Sequence, residues 1–441
     1  MRTIAAASDA DRFGDLTDDL LWHVLSFLPS DDALQTCVLD TRWRDLWRRT
    51  TSLHFNVDDC ERFRRLVKLI IQLRGKSPLS KCDIITCPDD YAVYGHCYSN
   101  TKRLIEFALE CQVKELILSN VDFYDIDPPV FDVPFISHHL KTINLHRVNL
   151  DCPALDFSGC PILEELKMQN CNIYARKISS TSLKHLCIFD SCMILVDFRI
   201  RIFAPDLISL LVDDFSGATP FLEDMPFLVT AHVGLGNSCY DLCTSVQRGC
   251  GFDCGCNNYP REGGVLLNGL SNAVNLELIL KAETINVRWD LERCPIFSKL
   301  KTLLLNEWFT AIDLGCILHS PILEMLTLQL KGIFCSLTRA TTAQETIDQP
   351  FVCVHLKVVY IECDEVHEEI HKIVNILRTC GILRDHINQG SIITLVLLLR
   401  TVMLCAGFSF QKDSQPLLPP PAAASTTADG NWDARSVVMQ V

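Results

Sequence analysis

The frame L-x-x-L-x-L recurs along this 441-residue chain and constrains its fold more than any other feature. Copies begin at Val113 (VKELILSNVDF), Leu140 (LKTINLHRVNL), Leu163 (LEELKMQNCNI), Leu183 (LKHLCIFDSCM) and Leu207 (LISLLVDDF), and later at Leu300, Leu323 and Leu356. The first five start 27, 23, 20 and 24 residues apart. In the x-L-x-L part side chains alternate, which predicts a short strand with its leucines turned to one side. One such unit cannot bury its own apolar face, whereas stacked units share a core. The expectation is an irregular solenoid of stacked parallel strands over 111–375. The residues between the leucines form an outer row that includes Glu115, Ile117, Thr142, Asn144, Glu165, Lys167, His185 and Cys187. By geometry this row is a surface for recognising protein. Each residue taken singly also fits an ordinary solvated strand face. Between Leu207 and Leu300 the frame weakens, although VNLELIL from Val274 reads as a further strand. CPILEEL at Cys160 and SPILEML at Ser320 nearly repeat one another and mark the turn into a strand.

The first fifty residues follow another period. In LTDDLLWHVLSFLP, Leu20, Val24 and Phe27 share one helical stripe, and Leu21, Leu25 and Leu28 a second beside it. Thr17 is placed to cap this helix, Asp18 and Asp19 suit its positive end, and Pro29 stops it. Ser30 is placed to cap a second helix carrying Leu34, Val38 and Leu39, and Asp40 a third carrying Trp43, Leu46 and Trp47. So small a helical unit cannot turn all this apolar surface inward. It either packs on the rest of the chain as a cap or docks a partner.

This stretch closely resembles the F-box. The match runs over residues 11–55, from DRFGDLTDDLLWHVLSFLP to the W-R-x-L-W end in QTCVLDTRWRDLWRRTTSLHF. With the repeats, whose spacing lies in the leucine-rich range of roughly 20–29 residues, the chain resembles plant F-box proteins that carry leucine-rich repeats. Two positions depart from the family pattern: Thr17 stands for the usual proline and Asp40 for the usual serine. The fold class implied is α/β, an N-terminal three-helix F-box followed by the solenoid. The resemblance implies a non-catalytic subunit of a ubiquitin ligase. Its box would bind a Skp-type adaptor, and through it a cullin and a RING subunit, while its repeats select the protein substrate. Carried over residue by residue, the adaptor contacts are Leu16, Leu20, Leu21, Val24, Leu25, Leu28, Pro29, Val38, Leu39, Trp43 and Trp47, some of them internal to the box. A leucine-repeat scaffold or ligand receptor with no ubiquitin role is the alternative.

Other readings bound this one. The formal net charge of -14 and pI near 5.4 argue against nucleic acid, which needs a basic surface. MRTIAAASDADR holds no apolar export segment, so the 23 cysteines are read as reduced thiols and the chain is placed in the cytoplasm or nucleus. Many sit singly in apolar runs, where a thiol behaves as a small hydrophobe. Cys239, Cys243, Cys250, Cys254 and Cys256 lie close together, but their spacings are not two C-x-x-C knuckles. They fit free thiols in a glycine-rich loop better than zinc. His367 and His371 stand four apart beside Glu368 and Glu369, which read as ordinary surface. No G-x-S-x-G, Walker or H-E-x-x-H motif occurs, and neither metal nor cofactor is expected.

Residues 56–110 read as a helical linker, with amphipathic ERFRRLVKLIIQL from Glu61 and a second helix from Thr101. The segment 351–390 faintly resembles the start of the small FBD domain of these plant proteins. Residues 391–441 hold an apolar run, Ile392–Phe410, and a low-complexity tail. The run is near the length of a membrane span, yet Arg400 sits in its middle. A buried terminal element, or an artefact of gene assembly, is the preferred reading.

Overall fold

The computed structural model describes residues 15–57, 59–86, 94–120, 130–131, 134–190, 192–194, 199–239, 265–280, most of 287–330, 355–363, 394–399 and 436–439. The chain forms two compact units, 1–299 and 300–441.

The first unit opens with helix α1 (Asp18–Leu25) and helix α2 (Ser30–Gln35), followed by 3-10 turns at Thr36–Val38 and Leu46–Arg49. The expected third α-helix is therefore a run of turns ending in a single 3-10 turn. Asp40 spends its carboxylate on the Thr41 hydroxyl, 3.0 Å away, and on the Thr41 N–H rather than on a helix end. Thr17 sits at the N-cap of α1 but makes no side-chain cap bond. Ser30 lies inside α2 behind Pro29, and its hydroxyl is taken by the His54 N–H at 2.9 Å. Leu21, Leu25, Ala33, Leu46 and Trp47 form the small core of this region.

The solenoid begins earlier than the leucine frame suggests. Strand β1 (Ser52–Val57), helix α3 (Cys60–Leu73), strand β2 (Lys81–Thr86), helix α4 (Tyr94–Glu110) and strand β3 (Glu115–Asn120) alternate. β1, β2 and β3 pair in parallel. The expected helical linker thus contains a strand of the sheet, with α3 and α4 as the connections between strands. Asp59 caps α3 by accepting from the N–H groups of Glu61 (2.8 Å) and Arg62 (3.0 Å), and Phe63, Val67 and Ile70 form its buried stripe.

Beyond β3 the connections change from helix to strand. After β4 (Val130–Phe131), one turn carries β5 (Thr142–His146), β6 (Asn149–Leu150) and β7 (Leu155–Asp156). The next carries β8 (Glu165–Gln169), β9 (Asn172–Ile173) and β10 (Lys177–Ser179). The third carries β11 (His185–Phe189), β12 (Met193–Ile194) and β13 (Arg201–Phe203), and the fourth β14 (Ser209–Gly217) and β15 (Phe221–Leu222). Three parallel ladders result: β3-β5-β8-β11-β14, β4-β6-β9-β12 and β7-β10-β13-β15. β16 (Thr230–Cys239) and β17 (Asn275–Ile279) extend the first ladder. The α/β reading therefore holds for the first repeats, whereas 142–222 close their turns with strands.

One backbone feature makes that closure possible. Arg147, Asn170, Asp190 and Asp214 have φ of 55°, 51°, 55° and 49°. Each follows the first leucine of its frame (140, 163, 183, 207) by seven positions. A left-handed residue there bends the chain out of the first ladder and into the second.

In the second unit β18 (Thr302–Asn306), β19 (Met325–Leu330), β20 (Val358–Cys363) and β21 (Thr394–Leu399) pair in parallel. A final strand, β22 (Ser436–Met439), pairs antiparallel with β21. Part of the apolar run Ile392–Phe410 is thus a strand, β21. Every first leucine of the frame is buried, as are Leu116, Ile143, Leu166, Leu186, Leu210, Leu276, Leu303, Leu326 and Val359 behind them.

Candidate docking surfaces

The N-terminal helical region sorts its apolar residues into two sets. Leu21, Leu25 and Trp47 are at most 3% exposed and belong to its core. Leu20 (51%), Val24 (42%), Val38 (82%) and Leu39 (66%) are exposed, as is Pro29. Leu16, Leu28 and Trp43 are half-buried. Phe27, 71% exposed, completes the Leu20–Val24 stripe and was absent from the expected contact set. Its place one turn beyond Val24 is the sequence signal for it. Leu20 and Val24 on α1, and Phe27 in the turn just after it with its ring edge-on to His23 at 4.9 Å, are exposed apolar surface of the kind an apolar partner covers. Arg42 ties Asp18 (2.9 Å) and the Leu16 carbonyl to the turn that holds Trp43, and Arg49 lies 5.2 Å over the Trp22 ring.

Several bonds fix this region to the first strands. His54 Nε2 lies 3.1 Å from the Ser26 carbonyl oxygen, and Arg62 pairs with Asp31. Arg74, 3% exposed, donates to the Thr50 carbonyl (2.8 Å) and the Ser77 carbonyl (2.7 Å). Burial pulls its pKa down from the usual arginine range.

The outer strand face is a register-matched array. Glu115, Thr142, Glu165 and His185 align across successive strands, and Ile117, Asn144, Lys167 and Cys187 align beside them. The expected row is thus brought together on one face, half-buried except for exposed His185. The face is laced by two ion pairs, Lys81–Glu115 at 3.1 Å and Lys167–Glu165 at 2.7 Å, and His54 Nδ1 lies 3.6 Å from Asp83 Oδ2. Further along, His232 sits between Glu277 (2.8 Å) and Asp213 (3.6 Å). Gly234 makes room for this: a Cβ there would lie 2.5 Å from Asp213 Oδ1.

Cysteines of the core satisfy backbone carbonyls. Cys171 Sγ reaches the Gln169 oxygen at 3.3 Å, Cys192 Sγ the Met168 and Phe189 oxygens at 3.3 Å, and Cys160 Sγ the Phe135 oxygen at 3.3 Å. Burial raises the Cys82 and Cys160 thiols above their ordinary range. Asp290, which the motif reading did not single out, is buried and accepts from the N–H groups of Val265, Leu266 and Leu267 at 2.6–2.9 Å. Among the described residues no group of three or more His, Cys, Asp or Glu is arranged to hold a metal, and no helix is long and apolar enough to cross a membrane. Cys243, Cys250, Cys254, Cys256, His367 and His371 lie outside the described residues, as does most of 364–441.

Comparison with curated proteins decides the lineage. Over 190 residues the chain is 30% identical to F-box/LRR-repeat protein 25 of Arabidopsis thaliana, covering 37% of this chain and 69% of that protein. The chain belongs to the F-box/LRR-repeat family. A putative F-box/FBD/LRR-repeat protein of the same plant is 27% identical over 264 residues, 52% of this chain and 60% of the relative. Another F-box/FBD/LRR-repeat protein is 25% identical over 368 residues, 74% of this chain and 78% of the relative. No family model matches the chain. This F-box/LRR-repeat chain spans about 60% of the length of several curated relatives it matches.

Proposed function

We propose that this chain is the substrate-selecting subunit of a Skp-cullin-F-box type ubiquitin ligase. Residues 11–55 act as the box and dock a Skp-type adaptor, which brings a cullin and a RING subunit. The repeats, with Glu115, Ile117, Thr142, Asn144, Glu165, Lys167 and His185 on their outer face, receive the protein to be modified. The observation that carries this reading is the exposed apolar set Leu20, Val24, Phe27, Val38 and Leu39 in the N-terminal helical region. It is an apolar docking face separate from the ion-paired strand face, so one chain can hold two partners at once. The covalent chemistry belongs to the partners. This chain supplies proximity, which by itself raises the rate of a bimolecular step. The cytoplasm or nucleus is the proposed compartment.

The test is affinity capture from plant cells with the proteasome inhibited. Full-length chain should recover adaptor and cullin together with client proteins. Leu20→Asp with Phe27→Asp should remove adaptor and cullin and leave the clients bound. A folded wild-type chain that recruits neither adaptor nor cullin overturns the ligase role and leaves a repeat scaffold.

A further inference from the structure

One residue from each repeat, just before its first-ladder strand, lies on a continuous line along the edge of the solenoid. The line is fixed by backbone bonds: the Lys141 N–H donates to the Lys114 carbonyl (2.8 Å), Glu164 to Lys141 (2.9 Å), Lys184 to Glu164 (2.9 Å), Ile208 to Lys184 (2.8 Å) and Val229 to Ile208 (2.9 Å). Neighbouring positions are thus one strand spacing apart, about 4.8 Å, and the line is roughly 24 Å long, matching about seven residues of extended peptide.

Its chemistry changes along its length. The first part is cationic. Lys114, Lys141 and Lys184 are exposed, against the single carboxylate of Glu164, which Lys184 holds at 2.8 Å. Lys141 shares the field of Glu164 with Lys184: the Lys184 hydrogen bond and the charges of both lysines hold that carboxyl below its ordinary range, so the three lysines outnumber it. The second part is apolar: Ile208 is 37% exposed and Val229 40%. Phe227, two residues before Val229 in the turn that leads to the strand, is 61% exposed. An excess of lysine is notable in a chain of net charge -14, and a single apolar residue on a surface is ordinary whereas a cluster is not.

We infer that this edge is a docking line for an extended polypeptide segment with acidic residues at one end and large apolar residues at the other. The acidic end meets Lys114 and Lys141, where charge complementarity sets orientation, and the apolar end covers Ile208, Phe227 and Val229. The inference rests on the reading of the repeats as the client receptor and assigns that client a chemical pattern. It places recognition on the edge, beside the outer strand face.

The test uses the full-length chain and three fluorescent peptides of one composition, built from Glu, Asp, Leu and Phe. Two are blocked, with acids first or acids last, and one interleaves the same residues. One blocked peptide is expected to bind about tenfold more tightly than the interleaved one. Lys114→Glu with Lys141→Glu should weaken it by about tenfold and abolish its salt dependence. Phe227→Ser with Val229→Ser should weaken it comparably while leaving the salt dependence in place. All four positions are exposed, and an unchanged thermal melt checks the fold. Equal binding of blocked and interleaved peptides overturns the inference, as does binding to phosphatidylserine vesicles in place of any peptide. Adaptor capture is measured on the same preparation. Adaptor binding without peptide preference sinks the docking line alone, while peptide preference without adaptor binding sinks the ligase reading and leaves the line standing.

Discussion

His232 Nδ1 lies 2.8 Å from Glu277 Oε2, its register partner on the adjoining strand β17. Asp213, on β14 at the other side, approaches the second ring nitrogen at 3.6 Å. Burial opposes charge on this imidazole, but the hydrogen bonds and charges of the two carboxylates outweigh it and raise its pKa to about 9. A raised folded-state pKa stabilises the fold fully below the unfolded value near 6.5 and loses that contribution as pH climbs through 9. Thermal unfolding between pH 6 and 10 should therefore show a melting temperature that falls between about pH 6.5 and 9 and levels off above. His232→Gln should start lower and lose much of this slope. Gly234→Ala should act in the same direction, because its methyl group displaces Asp213.

Leu20 and Leu25 share helix α1 but should respond oppositely to the same substitution. Leu25 is in the core, so Leu25→Asp buries an unpaired charge and should cost about 3 kcal/mol or more. Leu20→Asp should leave the melt within about 0.5 kcal/mol of wild type and still abolish capture of the proposed adaptor. Chemical denaturation alongside co-purification separates the two.

Arg74→Ala strips the Thr50 and Ser77 carbonyls of their donor in a buried place. A loss of about 2–4 kcal/mol is expected. Hydrogen exchange should localise it to the start of β1 and the Ser77 turn; protection lost evenly across the chain would refute the assigned role.

Asn170 occupies the left-handed corner of its repeat. Asn170→Gly should be neutral within about 0.5 kcal/mol, whereas Asn170→Val should cost about 1–2 kcal/mol, since a β-branched side chain clashes in that conformation. Urea midpoints of the two variants make the comparison.

The frame leucines were readable because a strict alternation has one structural solution, and all of them are buried. Helix α3 was readable from its stripe and from Asp59 at its start. The turns around Trp43 were not. Trp43, Leu46 and Trp47 keep helical spacing whether the backbone is α-helical or a 3-10 turn, and only Asp40's bond to Thr41 separates the cases. Two-residue strands such as Asn149–Leu150 carry no period at all. The strands β1 and β2 carry no such mark, because SLHFNV and KCDIIT lack the leucine frame, although they fill the same ladder. Among the surface candidates, the outer row followed from alternation. Phe27 and the Lys114–Val229 edge needed exposure and neighbour relations that a linear pattern does not contain.

Strand β1 begins at Ser52, only two residues, Thr50 and Thr51, after the last 3-10 turn at Leu46–Arg49. Arg74 and His54 brace that joint from two sides. A body hung on the Leu20 stripe and a body laid along the first repeats are therefore held at a set bearing, with no hinge to average their orientation. Each repeat adds about 4.8 Å of travel from the joint. In the proposed ligase, the count of repeats between the box and the bound segment would then work as a gauge of distance. Deleting one whole repeat would shift which lysine of a captured protein comes within reach, without altering a single contact at either end.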